Sequence, residues 1–216
     1  MERARMMPGN QDIVKKTETF LRQSYTPIPK NESEEAIVAI TNFLERYVQG
    51  LIPQRMILEE LTRTIHRVFG FQYVCIALRD RDGRFRYKTS IGLTSEAMKT
   101  LFEIAYSDAD LFDESTYPST AISDITRFYM AEGAPYTPNE VSTFSRPQLL
   151  GRKRSSPDDM IEGDYFNVFI KGSKNEVLGY LELGVTRNGK LPARSTLSWL
   201  EVIARLLAIV LSSENV

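Results

Sequence analysis

The last quarter of the chain constrains the fold most, because two strands and a long apolar helix follow one another there. Residues 165–171 read as a strand, a tight turn follows at residues 172–175, and residues 177–186 read as a second strand. A further turn at Asn188-Gly189 leads into an apolar helix over residues 195–212. Strands joined by so short a connection pair as an antiparallel hairpin. The chain is therefore expected to contain an antiparallel sheet on which this helix packs.

Composition limits the class of protein. The 216 residues are 42% hydrophobic with a net charge of -1, which fits one globular domain plus an N-terminal appendage and gives no attraction to nucleic acid. The single cysteine, Cys75, excludes an intrachain disulfide and a multi-thiolate metal site. No apolar run reaches the roughly 18 residues that cross a bilayer, and the start lacks a signal-peptide pattern. We expect a cytoplasmic protein that does not bind a membrane.

The upstream chain divides into a lead-in and a main domain. Residues 11–25 have loose helical spacing, and Pro27 and Pro29 then break the pattern, so residues 1–30 are read as a helix and linker. A partly disordered tail explains this segment equally well. Residues 31–216 form the main domain. Apolar stripes predict two helices, ending near Gly50 and Gly70, followed by a strand over 71–80 and a hairpin turn at Asp82-Gly83.

Residues 107–163 form a long irregular region after a short helix that begins near Ser95. Loops of this length are usually functional covers or disordered segments. Residues 121–130 within it look ordered. The basic tip, Arg152-Lys153-Arg154, is expected to be a solvated loop, with a phosphorylation site or an anion patch as the alternative.

The last helix is apolar nearly all round. One apolar stripe is enough to cover a sheet, so a second stripe needs another partner. The N-terminal helices and a second protomer are the two possibilities, and we expect both. This predicts a homodimer formed through the N- and C-terminal helices.

The order of these elements resembles that of a GAF domain. The sequence Val177-Leu-Gly-Tyr-Leu-Glu-Leu183, followed by residues 195–208, is similar to the ending of that family. Residues 71–80 resemble its first strand, and Ile122-Ser-Asp-Ile125 resembles the segment before its third strand. The likeness spans about residues 33 to 213. It departs from the family at Asn167-Val-Phe-Ile170, where a proline is frequent, and in its longer cover region.

The resemblance implies an α+β, PAS-like fold with an antiparallel sheet of about six strands. Terminal helices would cover one face, and short helices and loops would cover a ligand pocket on the other. The implied function is regulatory or sensory binding of an unknown small molecule. The sequence lacks the features of three known subclasses of the family. It has no histidine or cysteine in the cover region, whereas bilin-binding members do, it has too few cysteines for a methionine sulfoxide reductase, and it lacks the signature of cyclic-nucleotide-binding members. No cofactor is therefore assigned.

Strand alternation predicts which residues face such a pocket. Val74, Ile76 and Leu78 suit the helix layer, which places the small residues Cys75 and Ala77 on the pocket side. Closing the second hairpin at Lys171 and Val177 puts Val168 opposite Tyr180 and Phe166 opposite Glu182. The roof of the pocket is predicted to contain Met98, Phe102, Ile125, Phe128 and Tyr129, although plain core packing explains these residues equally well.

Glu182 is the most informative of these residues. A carboxylate in the middle of a sheet is costly to bury without a partner. It could bind a cationic or hydrogen-bonding group of a ligand, with Tyr180 as a neighbouring donor. The favoured alternative is that it pairs with a local arginine, such as Arg79, or reaches solvent.

The sequence does not favour catalysis. His66 is the only histidine and Cys75 the only cysteine, too few for a usual zinc site, and no phosphate-binding glycine loop is present. The chain is therefore predicted not to be an enzyme. The alternatives to a regulatory binding domain are a scaffold that dimerises or docks a partner around a filled pocket and, less favoured, an enzyme that uses Cys75 or Glu182.

Overall fold

The computed structural model describes residues 8–24, 31–53, 56–133 and 136–213. Contacts divide the chain into two units, residues 1–31 and residues 32–216. The first unit contains helix α1 (Pro8–Ser24), on which Ile13, Phe20 and Leu21 are exposed. The prolines of the expected linker, Pro27 and Pro29, lie outside the described residues.

The second unit is an α+β domain built on one sheet. Its helices are α2 (Glu32–Val48), α3 (Ile57–Val68), α4 (Ser95–Glu103), α5 (Asp108–Phe112), α6 (Pro138–Val141) and α7 (Arg194–Ser213). Its strands are β1 (Val74–Arg79), β2 (Phe85–Ile91), β3 (Ala105–Tyr106), β4 (Ser119–Ala121), β5 (Thr126–Tyr129), β6 (Tyr165–Lys171) and β7 (Val177–Leu183). Every pairing is antiparallel and the order is β3-β2-β1-β7-β6-β5-β4. The predicted antiparallel architecture is confirmed. The sheet has seven strands, and the prediction of about six is slightly low because β3 and β4 are very short.

Three helices cover one face of this sheet. Helix α7 packs on β6 and β7, α3 packs on β1 and β2, and α2 contacts both α3 and α7. Val74 and Ile76 point into this layer, as alternation predicted, and meet Ile65, Leu200 and Ile203 in the core.

Helix α7 keeps only one stripe facing outward, because the sheet and α2 cover the rest. That stripe contains both apolar and polar residues. Its exposed large apolar residues are Val202 and Ile209, and they alternate with the exposed polar residues Ser195, Ser198, Arg205 and Ser212. The expected second apolar stripe is thus largely satisfied within the chain. By length and composition α7 would also pass for a membrane span, but half of that stretch is buried in the fold, as in a core helix.

A buried carboxylate on α7 holds the helix to the sheet. The side chain of Glu201 accepts hydrogen bonds from Ser123 Oγ at 2.6 Å and from Thr126 Oγ1 at 2.8 Å. Ser123 lies in the β4–β5 turn, within the Ile122–Ile125 segment that resembles the family, and Thr126 is the first residue of β5. This anchoring role explains why a carboxylate, Glu201, interrupts the otherwise apolar pattern of α7.

The predicted register of the β6–β7 hairpin is wrong by one residue. Lys171 pairs with Val177 as expected, but an irregularity between Ile170 and Lys171 shifts the pairing, so that Phe169 lies opposite Tyr180 and Asn167 opposite Glu182. A bulge inserts one unpaired residue, and a slip of one residue moves every following side chain to the other face. Two residues predicted to line the pocket, Phe166 and Val168, therefore face the helix layer.

A buried cluster of charged residues joins separate parts of the cover region. Asp164 is fully buried and accepts hydrogen bonds from the Ala131 and Ile161 backbone N–H groups and from Arg154 Nη2, at 2.9, 2.8 and 2.6 Å. Arg154 also pairs with Glu132. The expectation of a solvated basic tip is therefore wrong for Arg154, because its guanidinium group is drawn inward to pair with the fully buried Asp164.

Candidate functional site

A cavity lies on the sheet face opposite the three helices, beneath α4, α5 and α6. The enclosed part of this cavity has a volume of about 40 Å³, which is room for a few waters. The unfilled space is about 600 Å³ when the opening of the cavity is included. Its walls come from Tyr73, Tyr87, Leu93, Leu101, Tyr106, Asp110, Leu111, Tyr117, Tyr129, Tyr136, Glu140, Thr143, Phe144, Tyr165, Asn167, Tyr180 and Glu182. Eight of the ten tyrosines in the chain are on this list, so the site combines aromatic rings with hydroxyl groups.

Glu182 lies on the central strand of this wall, between Cys75 on β1 and Asn167 on β6. Tyr87 Oη donates to its Oε2 at 2.5 Å. Burial and, to a smaller extent, the charge of Glu140 raise the pKa of Glu182 to about 7, against the opposing effect of this hydrogen bond. The alternative of a pair with Arg79 is wrong, because Arg79 binds Asp108 and the Val177 carbonyl.

Glu140 comes from the cover and is held by its own helix start. It forms a capping box in which its Oε2 accepts from Thr137 N and Thr137 Oγ1, each at 2.8 Å. Its Oε1 accepts from Tyr106 Oη at 3.0 Å and from Tyr117 Oη. Four donors thus satisfy this buried carboxylate, and its two tyrosine contacts tie β3 and the α5–β4 connection to α6.

Two buried polar groups on the sheet wall lack partners among the described residues. Asn167 is only 2% exposed and its Oδ1 accepts no hydrogen bond, and the hydroxyl of the fully buried Tyr180 is also unpaired. Burial raises the pKa of Tyr129, while the charge of Arg127 and a hydrogen bond from the Asn167 side chain lower it. Unpaired buried polar atoms are rare and call for an explanation.

The cavity is lined by acidic side chains and by no basic ones. Its described walls include three carboxyl groups, Asp110, Glu140 and Glu182, and no lysine, arginine or histidine. Burial, followed by the charge of Glu182, raises the pKa values of Tyr87 and Tyr180 far above their usual range. These phenols are therefore neutral at physiological pH, and the charge of the site comes from its carboxylates.

Three of the residues predicted from the sequence line this cavity, namely Tyr129, Tyr180 and Glu182. Cys75 and Ala77 share the same sheet face, since they pair with Glu182 and Tyr180, but they are not among the walls.

The other predicted residues lie elsewhere. Phe128 pairs with Phe166 and faces the helix layer with it and with Val168, and Ile125 is in the core. Met98 and Phe102 line a separate groove beside α3 and β2. The assignments on β5 and β6 were wrong because the bulge exchanges the two faces to which the β6 side chains point. The assignments on α4 were wrong because Leu101, and not Met98 or Phe102, points toward the cavity.

Sequence reasoning missed most of the cover side of the site. The spacings Ser107-x-x-Asp110 and Thr137-x-x-Glu140 are capping-box signatures and mark both carboxyl groups. The concentration of tyrosines between residues 106 and 136 was a second usable signal. Asn167 carried no signal, since its orientation depends on the bulge.

Cys75, which pairs with Glu182 on the same sheet face, does not offer a reactive thiolate. Cys75 is fully buried, and burial, with the charge of Glu182, raises the pKa of its thiol well above the ordinary value. The nucleophilic thiolate is therefore not formed. Over residues 8–24, 31–53, 56–133 and 136–213, no cluster of histidine, cysteine and acidic residues could hold a metal ion.

Comparison with known proteins identifies the fold. Neither a family model nor a curated protein matches the sequence. Among solved structures, a GAF domain/HD domain protein from Geobacter sulfurreducens matches with TM-score 0.55 and 14% identity, over 77% of this chain and 96% of that one.

Two further structures agree. The GAF domain of a phosphoenolpyruvate-protein phosphotransferase from Coxiella burnetii has TM-score 0.56 and 13% identity, over 86% of this chain and 97% of that one. The nlh2 GAF domain from A. aeolicus has TM-score 0.54 and 14% identity, over 85% and 99%. The described residues of the second unit therefore have the fold of a GAF domain.

Proposed function

We propose that this protein is a regulatory domain that binds a small molecule between the sheet and the cover region. The observation that carries the proposal is the pair of unpartnered buried groups, Asn167 Oδ1 and Tyr180 Oη, on the cavity wall. A buried polar group without a partner costs free energy, which a bound ligand can offset. The family of the similar structures, sensory and regulatory domains, supports the same function.

The mechanism that we propose couples the cavity to the terminal helices. A ligand would order the cover around Tyr117 and Glu140, and the change would pass through the sheet to α7 and α2 in a homodimer. The ligand can shift this equilibrium only by its different affinity for the two states. We expect the domain to act in the cytoplasm and without catalytic turnover.

A screen of small fragments with mixed charge, followed by ligand-observed NMR, tests this function. We expect some fragments to bind the wild-type chain and to lose binding in Leu101→Trp, because the larger side chain would fill the cavity that the buried Leu101 lines. Lys99→Trp, at an exposed position on the same helix, is the matched control and should retain binding. A wild-type chain that binds no fragment at this site would contradict the proposal.

A second function, that of a dimerisation scaffold with a filled pocket, has its own support. The free space in the cavity is small, about 40 Å³, and the apolar side chains of Val48 and Ile209 are 81% and 66% exposed. Such a protein would dimerise whether or not a fragment binds.

A further inference from the structure

The charges of the cavity define which ligand it accepts. Glu140 has four donors, and Asp110 accepts from Ser107 N and Ser107 Oγ at 2.7 Å. Glu182 instead accepts one described hydrogen bond, from Tyr87, although a carboxylate can accept about four. Glu182 therefore has the most unused acceptor capacity of the three, in a site without a basic side chain.

The unpartnered acceptors lie next to Glu182. Asn167 is its direct partner across the β6–β7 pair, which places the two Cβ atoms about 5 Å apart. Tyr180 lies two residues before Glu182 and points to the same side of the sheet. Glu182, Asn167 Oδ1 and the Tyr180 hydroxyl oxygen thus form one group of free acceptors.

Aromatic rings surround this group. The rings of Tyr87 and Tyr106 lie 6.4 Å apart and those of Tyr87 and Tyr180 lie 6.0 Å apart, both edge to face. Ring faces attract cations, and the attraction grows when the cation is removed from water. Rings and acceptors together would favour a cation that carries N–H donors.

We propose that the cavity binds the primary ammonium group of a small alkylamine. The ammonium group donates to Glu182, to Asn167 Oδ1 and to the Tyr180 oxygen, while its alkyl chain packs on Leu93, Leu101 and Leu111. A quaternary ammonium lacks the N–H groups that these acceptors need, and an anion would meet the carboxylates without a counter-charge. The limited free space favours a ligand of a few carbon atoms. This inference rests on the proposed function and adds the chemical class of the ligand.

Four probes of similar size separate the ligand classes. Isothermal titration calorimetry at about pH 8 compares butylammonium with 1-butanol, butyrate and tetramethylammonium, because Glu182 is mostly ionised above its pKa of about 7. We expect butylammonium to bind about tenfold or more tightly than each of the others, since charge-assisted hydrogen bonds form only with it. Equal or tighter binding of any of the other three would overturn the inference.

Two variants locate the binding. Glu182→Gln and Asn167→Leu should each weaken butylammonium binding by about tenfold, because each removes one acceptor. Asp124→Asn, an exposed carboxylate whose side chain is 72% accessible, should change nothing. Circular dichroism shows whether each variant folds, and Asn167→Leu still decides the question if Glu182→Gln does not. Unchanged affinity in a folded variant would place the binding elsewhere and overturn the inference.

The fragment screen separates this inference from the proposed function. If neutral or anionic fragments bind and Leu101→Trp blocks them while butylammonium does not bind, the ligand class is wrong and the binding function stands. If neither butylammonium nor any fragment binds at the cavity, both proposals are overturned.

Discussion

Among single residues, Glu182 links stability to pH, because its carboxyl group ionises inside the fold. Its pKa is about 7 in the folded chain against 4.5 for an ordinary glutamate, and burial is the main cause. The folded state therefore holds this proton more tightly than the unfolded state does. Stability falls as the pH rises from about 4.5 to about 7, and the cost is complete above that range.

The first prediction is that Glu182→Gln increases stability at alkaline pH. At about pH 8 the free energy of unfolding should rise by up to about 3 kcal/mol relative to wild type, and near pH 4.5 the difference should almost vanish. Urea unfolding across this range measures the effect. Asp124→Asn, which removes an exposed carboxylate, should give a small difference at every pH. A difference for Glu182→Gln that does not depend on pH would contradict the assignment.

Among the elements, β7 is the strand on which the sheet depends. It pairs with β1 on one side and with β6 on the other. Its Gly179 lies opposite Leu78 and Ile170, and a Cβ atom there would lie 2.2 Å from the Ala77 carbonyl oxygen. The glycine in the motif Val177-Leu-Gly-Tyr is therefore required by the close approach of β1.

The second prediction is that Gly179→Ala destabilises the domain by about 2 kcal/mol or more, because the backbone of β1 would have to move. Thermal and urea unfolding measure this loss. Gly133→Ala is the matched control, since its nearest neighbour would be Pro118 Cβ at 3.9 Å, and it should leave stability nearly unchanged. Equal stability of the two variants would contradict the tight β1–β7 contact.

At the scale of the whole molecule, apolar surface remains on the helix side. Val202 and Ile209 are exposed on α7, and Ile37, Val38 and Val48 are exposed on α2. Such residues on both terminal helices fit the proposed homodimer, in which a second copy would cover them. The polar residues between them on α7, such as Arg205, favour an interface smaller than the all-round apolar pattern of the sequence predicts.

The third prediction is that Ile209→Glu weakens dimerisation. Introducing a charge at the 66% exposed Ile209 should leave the monomer folded but lower the association constant by about tenfold or more, because an interface would bury the charge without a partner. Sedimentation equilibrium measures the change. Lys99→Glu, on the cover side of the sheet, should leave association unchanged. Wild-type protein that is monomeric at all accessible concentrations would contradict the homodimer.

The sequence alone determined the long helices, the two hairpins and their order, but not the short elements within residues 107–163. Residues 165–171 read as a strand and form β6, and the apolar run after Asn188-Gly189 forms the helix α7. These features depend on local periodicity and turn chemistry, which single residues carry. The sequence also indicated that a carboxylate at position 182 lies in the sheet face under the cover.

Only the tertiary structure decided what surrounds that carboxylate. One extra residue on β7, Leu178, opposite the step from Ile170 to Lys171, placed Asn167 on the cavity wall instead of Phe166 and Val168. Glu140 and the tyrosines of the cover reach the same cavity from distant parts of the chain. A bulge leaves no periodic mark, and convergence of distant segments depends on packing, so neither can be derived from local sequence patterns.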